Sequence, residues 1–234
     1  MKVLAKNIFK GRGFSDFNID IMIKIGGSLF KQDSISQYIN ILKSIEKISS
    51  IHNIVVMSGG GIIDKTIEKI AKQHELDVPS ICPACIRALD QMGYLICALD
   101  KKFIPFKDFE ELRNVPKGFI PTFIPSKLSF AIDAFVRTNI ITSDTIAAYF
   151  AFLLGADKFV ILTDVDGIYS DPNKHILINH ISAKALIKYG NTSVDACLSE
   201  FLDTVSMDCY ISNGDHPNYW MDLDNFQGTI INSK

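Results

Sequence analysis

No apolar run in the sequence is long enough to cross a bilayer. Stretches such as Ile146 to Leu154 break off well short of the roughly 20 residues a spanning helix needs. Residues 1–20 lack the continuous apolar core and small-residue cleavage site of a signal peptide, so a soluble, cytoplasmic protein is expected. Neither charge is in excess. With 24 basic and 26 acidic side chains the formal net charge is −2, which gives no global basic field for nucleic acid or an anionic membrane. Cysteine is sparse and unpatterned: Cys82, Cys85, Cys97, Cys197 and Cys209 form an odd, scattered set, as in reduced proteins. Cys82-Pro83-Ala84-Cys85 is formally a C-x-x-C pair, but it has neither a second ligand pair nor a thioredoxin-like setting. The two are read as ordinary thiols at a helix start, and no protein metal site is expected. Repeats and low-complexity segments are missing. So is the G-x-x-x-x-G-K-[ST] signature, which excludes ordinary P-loop mechanics.

What is present is a chain of 234 residues, 47% hydrophobic, sufficient for one globular domain with a substantial core. Residues 1–18, with Lys2, Lys6, Lys10 and Arg12, read as an N-terminal extension to a domain over 19–234. Strands are expected at 19–25, 53–58, 159–164, 207–213 and 228–232. Helices are expected at 34–49, 62–74, 84–99, 146–154, 183–189 and 194–205. Ile35, Tyr38, Ile39, Leu42, Ile45 and Ile48 form one face of the first helix; Ile63, Ile67, Ile70 and Ala71 do so on the second. The stretch from Pro105 to Pro125 reads as loop-rich with short strands or turns, and its four prolines make it the candidate irregular lobe or lid. Alternating strands and helices predict an α/β fold, a three-layer α/β/α sandwich with a mostly parallel central sheet.

Three glycine-containing turns each follow a strand. Lys24-Ile25-Gly26-Gly27-Ser28 combines backbone N–H groups that can approach a phosphate with an ammonium from the strand itself. Ser58-Gly59-Gly60-Gly61 has an entropic cost with no evident packing return, which suggests a ligand close to the backbone, read here as the acceptor in a transfer. Asp164-Val165-Asp166-Gly167-Ile168-Tyr169 offers carboxylates and a ring to a ribose or an adenine, though taken alone it is better explained as an Asx-rich surface turn. Such turns lie at the strand ends where open α/β sheets bind ligands.

Taken in order, Lys24-x-Gly26-Gly27-Ser28, Gly59-Gly60-Gly61, Thr142-Ser143-Asp144 and Thr163-Asp164-Val165-Asp166-Gly167-Ile168-Tyr169 with Asp171-Pro172 resemble the amino acid kinase superfamily. Ala88 to Gly93, Thr192 to Asp195 and Asn213 to Pro217 are similar to a branch of short archaeal-type kinases of methanofuran biosynthesis. These act on (aminomethyl)furanylmethyl phosphate. The resemblance implies ATP with Mg²⁺, a small-molecule phosphoryl acceptor and a homo-oligomer. It also implies an acceptor half at about 19–140 and a nucleotide half at about 141–234. Lys24 would bridge the transferred phosphoryl group, and Asp144 would orient that lysine and the metal-bound phosphate. Gly26, Gly27 and Ser28 would donate to the nucleotide phosphates, Gly59, Gly60 and Gly61 would line the acceptor, and Ser143 would cap the helix beside them. Thr163, Asp164, Asp166, Gly167, Tyr169, Asp171 and Pro172 would surround the nucleoside. Lys24→Ala is accordingly expected to abolish turnover with little loss of fold.

Two departures stand out. Many members carry a second lysine after the nucleotide loop, whereas Asp195 to Asp203 has none and adds acids, Glu200 and Asp203 among them. Arg137 is the candidate substitute cation. Uridylate, isopentenyl phosphate or an amino acid carboxylate are the alternative acceptors, and a catalytically impaired nucleotide-binding subunit is the alternative of a different class.

Overall fold

The computed structural model describes residues 17–132, 142–171, 176–189 and 192–233. Of the expected extension only Phe17 and Asn18 are included, and Arg137 and Pro172 lie outside the described residues. The strands are β1 (Ile21–Ile25), β2 (Ile54–Ser58), β3 (Phe103–Phe106), β4 (Ile120–Phe123), β5 (Lys158–Thr163), β6 (Ile168–Asp171), β7 (Ile176–Ile178), β8 (His180–Ser182), β9 (Cys209–Asn213) and β10 (Thr229–Asn232). The helices are α1 (Ile35–Ile48), α2 (Gly61–Gln73), α3 (Val78–Leu99), α4 (Phe109–Arg113), α5 (Ser126–Ser129), α6 (Ser143–Leu154), α7 (Ala183–Leu186) and α8 (Ala196–Val205).

Eight strands form one sheet in the order β3-β4-β2-β1-β5-β9-β10-β8, while β6 and β7 pair as a separate antiparallel ribbon. Every neighbouring pair in the large sheet is parallel except β9 with β10. Central strands buried on both faces read as continuous apolar runs, and β1, Ile-Met-Ile-Lys-Ile, is buried throughout. Its alternation sorts the core. Met22 faces one side with Val55, Met57, Phe159, Ile161 and the apolar residues of α6. Ile21, Ile23 and Ile25 face the other with Val56, Leu162, Trp220 and the Tyr38, Ile41, Leu42 and Ile45 stripe of α1. Helices on both faces of a mostly parallel sheet are the three-layer sandwich expected from the sequence.

Some local expectations are corrected. Helix α3 begins at Val78, not Ala84: Asp77 caps it by accepting from the Ser80 N–H. Pro79 sits in the first turn, where no helical N–H bond is lost, and Pro83 gives up only one. The proline-rich stretch 105–125 is no lid but one margin of the sheet, with Pro105 on edge strand β3 and Pro121 ahead of the residues that pair with β2. On α1, Ile41 is buried where Ile39 was expected. On α2, Ile70 is 48% exposed, because only one edge of that helix meets α3. Phe17 anchors the start of the domain, its ring 5.7 Å from that of Phe109 and beneath the Arg113 guanidinium.

Candidate active site

Lys24 occupies the Met22 side of β1, so its chain runs through the core layer beneath α6. A lone charge there is costly unless paired. Its partner is Asp144 in the first turn of α6: Lys24 Nζ lies 2.6 Å from Asp144 Oδ1, with the side chains 8% and 10% exposed. Helix α6 places that carboxylate because its N-terminal end is fixed. Thr142 is the cap, accepting from the Asp144 N–H at 3.3 Å. The cap is therefore Thr142 and not Ser143, which is the first helical residue. Gly155 closes the other end at φ 67°, a left-handed turn that glycine adopts without strain.

The first two glycine turns meet face to face. The Gly26 N–H donates to the Leu162 carbonyl at 2.7 Å, and the Gly59 N–H donates to the Ile25 carbonyl at 2.8 Å. A side chain on Gly27 would put its Cβ 2.3 Å from the Gly61 nitrogen, and one on Gly59 would come 2.8 Å from the Gly27 nitrogen. Gly61, at φ 59°, opens α2. The packing return not evident from the sequence is thus supplied by the turns themselves, backbone against backbone. Ser143 Oγ lies 3.4 Å from the Cβ position of Gly59. The N-terminal ends of α2 and α6 and the short helical turn Gly27–Leu29 converge beside Lys24. Unpartnered N–H groups and aligned helix dipoles at such ends favour an anion.

Asp195 is the residue whose role sequence reasoning missed. From sequence it entered only as the end of the Thr192–Asp195 motif and the start of the lysine-free stretch, but it caps α8 by accepting from the Leu198 N–H at 2.8 Å. It also reaches across to α6, accepting from Thr142 Oγ1 and Thr145 Oγ1, each at 2.6 Å, and from the Thr145 N–H at 3.2 Å. One carboxylate thereby pins two helix starts, and with them the turn that carries Asp144. An acid directly before an apolar run is a cap signal, and it was readable here. Glu200 and Asp203 lie further along α8 and are exposed.

The third turn binds itself to the end of β9. Asp166 accepts from Asn213 Nδ2 at 2.9 Å and from the Tyr169 hydroxyl at 3.3 Å, and the Gly214 N–H donates to the Thr163 carbonyl at 2.8 Å. Burial and Asp166 push the Tyr169 phenol above its ordinary range. Thr163 and Asp164 are joined at 3.3 Å, and Asp164 is exposed at the mouth of this turn. Gly167, at φ 155°, lies against Thr229, whose hydroxyl accepts from the Ile168 N–H and donates to the Ile178 carbonyl. Asp171 ends β6, away from these contacts along the ribbon. Lys31 Nζ stands 3.7 Å from Asp215 just after β9.

Between α2, α3 and the start of α6 is a cavity of about 440 Å³, with Ser143 and Thr142 at the α6 end. Cys82, Ile86, Leu89 and Ile146 give it an apolar floor, and Asp64 and Glu68 of α2 lie on its wall. Burial raises the Asp64 carboxyl above the usual range, against the lowering effects of the Cys85 thiol and of Lys24. Burial and Asp64 raise Glu68. Cys82 and Cys85 form no disulfide on this wall, and Cys85 is pushed up to about 12 by burial and then by Asp64. Among the described residues no group of three or more His, Cys, Asp or Glu is placed to hold a metal. No helix among them is long and apolar enough to cross a membrane.

The chain is similar in sequence and in fold to known kinases. The [5-(aminomethyl)furan-3-yl]methyl phosphate kinase of Methanocaldococcus jannaschii is 31% identical, over 86% of this chain and 91% of its own. Uridylate kinase of Methanococcus aeolicus is 26% identical, over 91% and 99%. In structure, the chain superposes on uridylate kinase from Archaeoglobus fulgidus with a TM-score of 0.70 at 20% identity, covering 91% of this chain and all of that one. UMP kinase from Bacillus anthracis gives 0.71 at 15% identity, over 92% and 96%. The family model described as Amino acid kinase family matches residues 21–213, from the first residue of the lysine-bearing strand to the asparagine that holds Asp166. By this match and by the relatives that share its length, the chain is a kinase of the amino acid kinase family.

Proposed function

We propose that the protein transfers a phosphoryl group from ATP to a small phosphorylated acceptor, with [5-(aminomethyl)furan-3-yl]methyl phosphate as the first candidate. The observation that carries this reading is the buried Lys24–Asp144 pair where two glycine turns and two helix starts converge. Phosphoryl transfer asks a protein mainly for positioning and charge neutralisation. In this reading the Lys24 ammonium meets charge developing on the transferred group, and Asp144 keeps that ammonium in place. The amides of Gly27 and Ser28 receive nucleotide phosphates and those of Gly60 and Gly61 the acceptor's phosphate; the Gly26 and Gly59 N–H groups, expected from sequence to serve the same ends, are instead taken up by the Leu162 and Ile25 carbonyls. Thr163, Asp164, Asp166 and Tyr169 border the nucleoside. Magnesium arrives on the nucleotide as part of the substrate. The acceptor half is then about 19–140 and the nucleotide half about 141–234. The relative named for the furan phosphate favours that acceptor, and the uridylate kinases make UMP the second candidate.

A catalytically impaired subunit is the second reading, favoured by one observation: α8 carries no lysine near its N-terminal end. One assay separates the two. Purified protein with ATP, Mg²⁺ and the furan phosphate, UMP or isopentenyl phosphate should release ADP with one of them. Nucleotide binding without ADP release from any acceptor overturns the enzyme reading.

A further inference from the structure

A nucleoside triphosphate brings several negative charges to this site, and little around the turns offsets them. Lys24 is already neutralised by Asp144, and the third turn adds Asp164 and Asp166. Across the three turns and their continuations, 26–31, 58–64, 163–167 and 213–216, Lys31 is the one lysine or arginine. It stands just beyond the short helical turn Gly27–Leu29. Its Nζ lies 3.7 Å from Asp215 Oδ2, too far for a hydrogen bond, and of the two side chains the lysine is the more exposed, 50% against 22%. An exposed pair of that length adds little to stability and leaves the three donors of the ammonium open.

The place of the pair in the fold is informative. In the strand order β1-β5-β9, Lys31 follows β1 and Asp215 follows β9, so the pair reaches across the C-terminal end of β5, where the nucleoside turn begins. The two loops are in contact: a Cβ on Gly214 would fall 2.6 Å from Leu29 Cδ1, and the Gly214 N–H donates to the Thr163 carbonyl at 2.8 Å. Asp215 is tied to the same turn, since its N–H donates to Asn213 Oδ1 at 3.0 Å and Asn213 Nδ2 donates to Asp166. A nucleotide with phosphates at the Gly27 and Ser28 amides and its nucleoside beside Thr163 to Tyr169 passes this point. We infer that Lys31 is the second cation of the transfer site, in place of the lysine that α8 lacks. Its ammonium rests near Asp215 without nucleotide and moves to the nucleotide phosphates when they arrive, a move its flexible four-carbon stem makes with the backbone unchanged. The inference rests on the reading of the Lys24 centre as the place of phosphoryl transfer. Lys24 comes from the α6 side of the sheet, whereas Leu29 and Trp220, which flank the Lys31–Asp215 pair in sequence, pack on the α1 side. The two ammonium groups thus approach the phosphates from opposite faces.

Lys31→Met keeps the length of the side chain and removes its charge. Calorimetric titration with ATP–Mg²⁺ should give a Kd raised about tenfold, the worth of one charge-assisted contact, and Lys31→Arg should recover most of that loss. Melting without nucleotide should match the wild type for both variants, so that weaker binding cannot be put down to a loosened fold. Acetic anhydride, with the product read by mass spectrometry, should label Lys31 in the free protein and spare it in the presence of ATP–Mg²⁺. A loss of ATP affinity below about threefold in Lys31→Met, or equal labelling of Lys31 with and without nucleotide, overturns the inference. ADP release with UMP or the furan phosphate that is undiminished in Lys31→Met sinks the inference and leaves the kinase reading standing. Nucleotide protection of Lys31 and weakened ATP binding by Lys31→Met, with no ADP release from any acceptor, do the reverse.

Discussion

Loss of Lys24 should be felt in folding as well as in catalysis, against the expectation from sequence that Lys24→Ala spares the fold. Take Lys24→Met, which keeps the length of the side chain and removes the charge. Asp144 then remains in a site where its side chain is 10% exposed, with its 2.6 Å partner gone. Breaking a buried pair from one side typically costs about 3–5 kcal/mol, because an uncompensated charge is left behind. For a chain of this size each kcal/mol lowers Tm by roughly 2–4 °C, so the single change should lower Tm by about 6–20 °C. Adding Asp144→Asn removes the stranded charge and should return much of that loss. Thermal melts of the wild type, both single variants and the double variant close the cycle. ADP release should be lost in every variant lacking Lys24, by a hundredfold or more, whatever its Tm. Lys24→Met melting within about 2 °C of the wild type would refute the reasoning, as would a double variant no more stable than Lys24→Met.

Asp195→Ala removes five acceptor contacts and should cost about 2–4 kcal/mol in a urea melt. It should also lower kcat more than it raises KM, because Asp144 loses its fixed turn, and Asp195→Asn should recover part of both. An Asp195→Ala protein as stable as the wild type contradicts the clamp. Gly27→Ala drives a Cβ to 2.3 Å from a backbone nitrogen and should prevent soluble folding. Gly118→Ala, at φ 83° with nothing within 4 Å, should cost only about 1 kcal/mol; similar melts for the two would count against turn-to-turn packing. Because the Cys85 thiol is raised to about 12, its thiolate is scarce at neutral pH and increases as pH rises. Alkylation of Cys85 by iodoacetamide should be slow at pH 7 and accelerate steadily to pH 10, and rapid labelling at pH 7 would exclude the buried environment described.

Much of the layered fold was legible because the signals were local. Apolar runs such as Ile54–Met57 and Phe159–Leu162, set between helical stripes, have few arrangements open to them. The edges were harder to read. Pro105 and Pro121 look like loop residues until pairing shows that their missing N–H groups cost the sheet little. Lys24 and Asp144 were candidates from sequence, but their burial as a pair was not legible, since it depends on α6 lying over β1. The cap that Asp195 makes on α8 was readable locally, but its contacts to Thr142 and Thr145 join segments some 50 residues apart, and no local pattern reports such a distance. Asp64 was missed although it stands three residues after the glycines, because a first-turn acid on an amphipathic helix has an ordinary electrostatic explanation.

The mutual seating of the Gly27 and Gly59–Gly61 turns bears on how such an enzyme could change its substrate. Each turn is the wall against which the other is built, so neither can accept a side chain while its neighbour stays where it is. Variation in acceptor preference is thereby diverted away from the phosphate end. It falls to the α2 and α3 side chains that line the cavity further out, such as Glu68, Ile86 and Leu89. A chain organised in this way can exchange one small phosphorylated compound for another by rewriting a few positions on two helices, while the chemistry it performs stays constant.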